Sequence, residues 1–423
     1  MRKLIFSLSL LFFVSATLKS QDEAEKMKNL IKSSKSKERL EGLTLLSQYS
    51  GMDRFMLAAP LMADPKTEIR EKALDIIGEK PHDEAVPLLN KARNDVDKGI
   101  RRKALNYLLA YSTGTFHFLL ESLEKEKDDE IRMDLLDGLA QKGTGVLEFL
   151  SVSLRDGSRE IRKKALFEAD KRSGKNILGL FKEYFRQEKE RSLEELALDV
   201  ISKIKEKESV PLLIYPATED QDVVIRAKAL TILSMMEFPE ALTALSKGVK
   251  DPSKEIRLLV VNILSAGGDQ SVIGALKAAL KDREFEIRRR AVYALASVGT
   301  LYPPPSPVLG ALLTALEDPD RRIILTALEV LKLFPEEKIC PMLDILYRKE
   351  KKKEVIFPVL DCLRATNSRQ ALPILFDMQN ELPREEQPKI KEIIFGILNS
   401  QPKVKQDATP LKPAPQPASE KTE

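Results

Sequence analysis

The sequence has no tryptophan and only two histidines and two cysteines in 423 residues. Two cysteines are too few for a disulfide framework or a zinc site. Glycine numbers 18 and aromatics make up 6%. With runs of β-branched and aromatic residues also scarce, a strand-rich fold is excluded and an all-α fold is expected. There is no excess of charge of one sign: 69 basic and 65 acidic residues leave +4. That balance carries no footprint for nucleic acid or anionic lipid. Catalytic signatures are missing too. HExxH, CxxC and G-x-S-x-G do not occur. "RSGKN" at 172–176 has Ala169 where a P-loop needs glycine and Asn176 where it needs Ser or Thr. "KGTGV" at 142–146 reads as a turn. His82 and His117 each sit near an interhelix turn and read as ordinary surface or partly packed histidines. No catalytic residue, metal ligand or cofactor is therefore expected.

A long apolar run occurs only at the start. Arg2 and Lys3 precede an apolar stretch from Leu4 to Val14, interrupted by Ser7 and Ser9 and followed by Ser15-Ala16-Thr17. Residues 1–20 read as a secretory signal peptide, cleaved after Ala16 or Ser20, with an uncleaved anchor as the other reading. A spanning helix needs ~20 apolar residues, so no integral membrane segment is expected after cleavage. The expected compartment is periplasmic or extracellular, at a bacterial envelope. Residues 401–423 are rich in Pro, Lys and Gln, with almost nothing to bury, and read as a disordered tail.

What fills residues 21–400 is a repeat. "EIREKALDIIG" from Glu68, "GIRRKALNYLL" from Gly99, "VIRAKALTILS" from Val224 and "EIRRRAVYALA" from Glu286 are copies of one unit. The anchor residue, usually isoleucine, recurs at 69, 100, 131, 161, 225, 256 and 287. Degenerate copies stand at Leu193, Ile323, Val355 and Ile390, and a first copy begins at Glu38. Most spacings are 30 to 32 residues, with 36 before Ile323 and 35 before Ile390. Within a unit, apolar residues such as Ile225, Ala229, Leu230, Ile232 and Leu233 share one helix face. A second apolar helix precedes each anchor, as in "AVPLLNKA" from Ala85 and "ALPILFDMQ" from Ala371. The unit is a helix, an acidic turn and a second helix, and about twelve of them must stack to bury their apolar faces.

The motif resembles HEAT repeats, in particular the short kind named after phycobilisome lyases. "IRRRAVYALASVG" is the nearest match to that second helix, and Pro87, Pro211 and Pro373 fit the start of the first. The resemblance spans about residues 30–400 and implies a right-handed α-solenoid, with the second helices lining its concave face. It implies no activity: the paired His-Glu dipeptides of HEAT-type iron hydroxylases are absent. A chromophore- or cofactor-handling lyase-like role and a nucleic-acid-binding solenoid are the alternative readings.

The residue after the anchor is arginine in most units, and the fifth residue before it is an acid. Asp64, Arg70, Asp95, Arg101, Arg132, Asp156, Arg162, Asp220, Arg226, Asp251, Arg257, Asp282 and Arg288 make this series. HEAT-like arrays commonly form an Asp–Arg ladder of this kind between repeats, so these residues are expected to orient the stack. Arg288 then belongs to the ladder, while Arg289 and Arg290 are extra charges, with Arg102, Lys103, Lys163 and Lys164.

Three late units place Leu258, Leu259, Leu325 and Phe357 where earlier ones carry polar residues, and lose the arginine at Ile324 and Ile356. Such an apolar patch is either a partner site or a buried part of a tighter superhelix. "GTLYPPPSP" at 299–307 is a stiff loop that presents Tyr302 or merely spaces two helices. Cys340 and Cys362, either side of the "RKEKKK" turn, form a disulfide or remain two buried thiols. The functional expectation is an exported, non-enzymatic scaffold that binds a protein partner, with no nucleic acid and an open oligomeric state.

Overall fold

The computed structural model describes residues 25–400, apart from 49–53, 80–82, 112–113, 173, 237, 267–269, 302–306 and 351. Residues 1–20, read above as a signal peptide, residues 401–423, read as a tail, and His82 and Tyr302 lie outside the described residues. All described elements are helical and no strand occurs among them. The all-α expectation holds.

The chain forms two compact units, residues up to Pro216 and residues from Ala217 on. Each is a row of helical hairpins. In the first, the second helices are Ser36–Gln48, Thr67–Gly78, Lys98–Ala110, Asp129–Lys142, Arg159–Lys171 and Arg191–Ser202. In the second they are Val223–Ser234, Lys254–Ala266, Phe285–Leu301, Arg321–Leu331, Lys353–Thr366 and Gln387–Asn399. The eleven anchors from Ile69 to Ile390 are 1% exposed or less. Each such side chain contributes roughly 1.5–3 kcal/mol on burial.

The turn before each second helix divides its work between two residues. In Asp95-x-Asp97, Asp97 is the N-cap and accepts the N–H of Ile100 at 3.1 Å. Within the turn Asp95 accepts the N–H of Asp97, at 2.8 Å, which leaves the rest of its carboxylate to meet a neighbour. Asp128, Asp222 and Asp320 cap their helices in the same way. The first helices are shorter, and three run on into 3-10 turns, at Ala59–Ala63, Gly248–Lys250 and Ala315–Glu317.

One hairpin departs from this plan. Over residues 175–187 the first helix is replaced by a 3-10 stretch, Lys175–Phe181, and one α-turn, Tyr184–Gln187. Aromatic side chains fill the space: Phe181 and Phe185 each meet Tyr184 edge-on, with ring centres 5.9 and 5.8 Å apart. Gly143 and Gly145 in the "KGTGV" turn have positive φ, 70° and 60°. A Cβ on Gly145 would overlap the ring of Phe116, so both the backbone and the packing require glycine there.

Candidate interaction surface

The acids and arginines of the turns form a ladder in each unit. In the first, Arg39 pairs with Asp64, Arg70 with Asp95, Arg101 with Glu126, Arg132 with Asp156 and Arg162 with Glu188, at 2.6–2.9 Å. In the second, Arg226 pairs with Asp251, Arg257 with Asp282 and Arg288 with Asp318. Each guanidinium is a fork. Nε and Nη2 of Arg70 donate to both oxygens of Asp95, while Nη1 donates to the carbonyls of Asp64 and Pro65 in its own turn. Asp64 thus gives its carboxylate to one arginine and its carbonyl to the next.

The rungs are mostly buried. Burial alone would raise the carboxyls of Asp64, Asp95, Glu126, Glu188 and Asp282. The paired arginines and the backbone N–H groups outweigh it and hold all five below the usual carboxylate range. Asp220 is different from the rest of the series. Its carboxylate accepts the N–H of Asp222, and the repeat before it carries Glu194 in place of the ladder arginine. The series therefore contains one acid without its rung.

The exposed side of the second helices differs between the units. In the first unit, charge alternates from helix to helix. Glu71 and Asp75 hold Lys103 at 2.8 and 2.9 Å, and Asp134 holds Arg102 at 2.5 Å. Asp137 holds Lys164 at 2.6 Å. Asp75 also accepts from the Tyr107 hydroxyl, and burial together with this carboxylate pushes Tyr107 up to about 12. These charges neutralise one another across the repeats.

In three repeats of the second unit the equivalent positions hold apolar or aromatic side chains, while the repeat between the first two of them keeps Arg289 and Arg290 there. Leu258, Leu259, Leu325 and Phe357 are half-buried, neither sealed in the core nor fully open. Lys389 lies over the Phe357 ring at 5.5 Å, and Arg322 over Phe285 at 3.9 Å. Of the three consecutive arginines, Arg288 is a rung. Arg289 and Arg290 both turn to Glu286, at 2.9 and 3.5 Å. Tyr293, one helical turn on, is 44% exposed.

Other groups singled out in the sequence have plain surroundings. Cys340 and Cys362 are separate buried thiols. Cys362 donates to the Leu328 carbonyl at 3.2 Å, and burial pushes its pKa up to about 12. His117 is exposed beside Phe118, its ring centre 3.7 Å away. No cluster of three or more metal-ligating side chains occurs among the described residues, and no described helix is long and apolar enough to cross a membrane.

Two sets of contacts had no counterpart in the sequence reading. Arg93 ties successive first helices: it donates to Asn90, Ser122 and Glu121 at 2.5–2.9 Å and covers the Phe118 ring. At the far ends of the second helices, Arg172 donates to the Ala140 carbonyl at 2.6 Å, and Lys142 donates to the Tyr111 carbonyl. A lone arginine or lysine outside the repeat's consensus gives no signal that could have found them.

Helical hairpins joined by buried acid–arginine rungs define a stacked helical-repeat protein. The HEAT repeat family model matches residues 56–140, 213–296 and 242–314, and the chain is a HEAT-repeat protein. No curated protein matches it. Among solved structures it is similar to importin beta, at 12% identity over 92% of this chain and 64% of that one, with a TM-score of 0.34. It is also similar to the CpcE–CpcF complex of phycocyanin lyase from a Nostoc species, at 17% identity over 59% and 94%, TM-score 0.29. Human deoxyhypusine hydroxylase is a third, at 16% identity over 59% and 97%, TM-score 0.26. At such scores these likenesses add nothing to the repeat itself.

Proposed function

We propose that this chain is an exported, non-enzymatic scaffold that binds a protein partner on the second-helix face of its second unit, over residues 255–360. One observation carries the reading: Leu258, Leu259, Leu325 and Phe357 are half-buried where the first unit sets mutually paired charges. Apolar side chains left partly open beside Tyr293 and the Arg322–Phe285 stack fit a peptide or helix with apolar anchors. Family membership supports the class, because HEAT repeats typically serve protein–protein contacts. Export rests on the pattern from Arg2 to Thr17, and the absence of enzymatic activity on the missing catalytic motifs.

The test is a pull-down from a cell-envelope extract with the mature protein and with a Leu258→Glu/Leu259→Glu variant, its fold checked by circular dichroism. A partner held by the wild type and lost by the variant is expected. Equal retention by both would place the partner elsewhere and sink this assignment.

A further inference from the structure

The last repeat breaks a rule that the others obey. In each earlier repeat, the side chains five and eight residues after the anchor are apolar and 2% exposed or less, from Leu43 and Leu46 to Leu360 and Leu363. These positions look toward the following repeat. Leu230 lies 3.6 Å from a Cβ built on Gly248 in the next hairpin, and the Leu328 carbonyl is bonded to Cys362 of the next second helix. In the helix Gln387–Asn399 the same positions hold Phe395, 70% exposed, and Leu398, 50% exposed. The other apolar face of that helix, with Ile390, Ile394 and Ile397, is buried normally. No described element follows it. Among the described residues the row of hairpins thus stops at a surface with the composition of an inter-repeat core, where solenoids ordinarily carry a polar cap.

The residues after it are a poor cover. "ATPLKPAP" at 408–415 keeps the Pro-Leu pair that opens first helices such as "AVPLLNKA". It then places Lys412 where Leu89 is fully buried. Pro413, Pro415 and Pro417 each remove a helical N–H donor.

We propose that a second copy of this chain covers the face, the two Gln387–Asn399 helices packing antiparallel about a two-fold axis. Such a pairing is isologous, so Phe395 and Leu398 of each copy bury those of the other. Lys391, exposed one turn before Phe395, then reaches the last turn of the opposing helix, where the free carbonyls carry partial negative charge.

The experiment is sedimentation velocity of the full chain over a concentration series. It is run beside a Phe395→Ser/Leu398→Ser variant, an Ile345→Ser control and a chain ending at Ser400. Ile345 is 59% exposed on a different helix. The wild type, the control and the shortened chain are expected to sediment with twice the monomer mass. The double variant is expected to sediment as a monomer with unchanged helical circular dichroism. A wild type that is monomeric throughout, or a double variant that still dimerises, overturns the proposal. A shortened chain that dimerises while the full chain does not would make residues 401–423 the cover, and overturns it as well.

Discussion

Arg257 makes four hydrogen bonds with one side chain: two to the Asp282 carboxylate, at 2.6 and 3.0 Å, and two to the carbonyls of Asp251 and Pro252. Its side chain is only 6% exposed. Removing it strands a buried carboxylate and two carbonyls. Arg257→Ala is expected to cost about 3–5 kcal/mol, read as a shift in the urea midpoint of unfolding. Arg257→Lys should recover little, because an ammonium cannot fork across two carboxylate oxygens. A double Arg257→Ala/Asp282→Ala variant should lose less than the sum of the single changes. Chemical reactivity follows the same local logic. Cys362 is buried and its thiol is pushed up to about 12, so it should resist alkylation at neutral pH until the chain is unfolded.

The hairpin is the scale at which the sequence is most readable. Anchors such as Ile69, Ile161 and Ile287 announce both the period and the buried face, because an apolar residue recurring at a helical register has few other uses. The acid before each anchor was equally visible, and so was its part in a ladder with the arginines. It serves the neighbouring arginine and the N–H two residues on, while the cap belongs to the next polar residue. The aromatic filling at 177–185 was hidden, because apolar residues that complete an irregular turn look like those of a helix. Packing at this scale is tight. A Cβ on Gly248 would stand 2.6 Å from Val260 Cγ2, so Gly248→Ala should lower stability by about 1–3 kcal/mol in thermal or urea unfolding. The ladder also sets an acid limit. Five of its carboxyls have folded pKa values below their unfolded ones, so their stabilisation is complete above the ordinary carboxylate range. It is lost as pH falls through the depressed folded values. The melting temperature should be nearly flat down to about pH 5 and fall below about pH 4.

For the whole molecule, the series of arginines and acids shows which hairpins share a rung, and Glu194, Ile324 and Ile356 show where the series lapses. Exposure is the part that one sequence conceals. Leu258 and Leu398 are both apolar residues on second helices, yet neither is sealed: Leu258 because it lies on the exposed side of its helix, Leu398 because no described repeat follows it. Export also belongs to this scale. Mass spectrometry of the protein recovered from an envelope fraction is expected to give a first residue of Thr17 or Gln21, and an intact Met1 would contradict cleavage.

The alternation of charge across the first unit imposes a parity on its length. Acids at Glu71 and Asp75 adjoin bases at Arg102 and Lys103, which adjoin Asp134, and Asp137 in turn adjoins Lys164. Excising one repeat, residues 100–130, would bring Asp75 beside Asp134 and set two anionic stripes against each other. Excising two, residues 100–160, would restore opposite signs. Gain or loss of repeats in this stretch is therefore tolerated in even steps and penalised in odd ones, and the melting temperatures of the two deletion variants would read that difference directly.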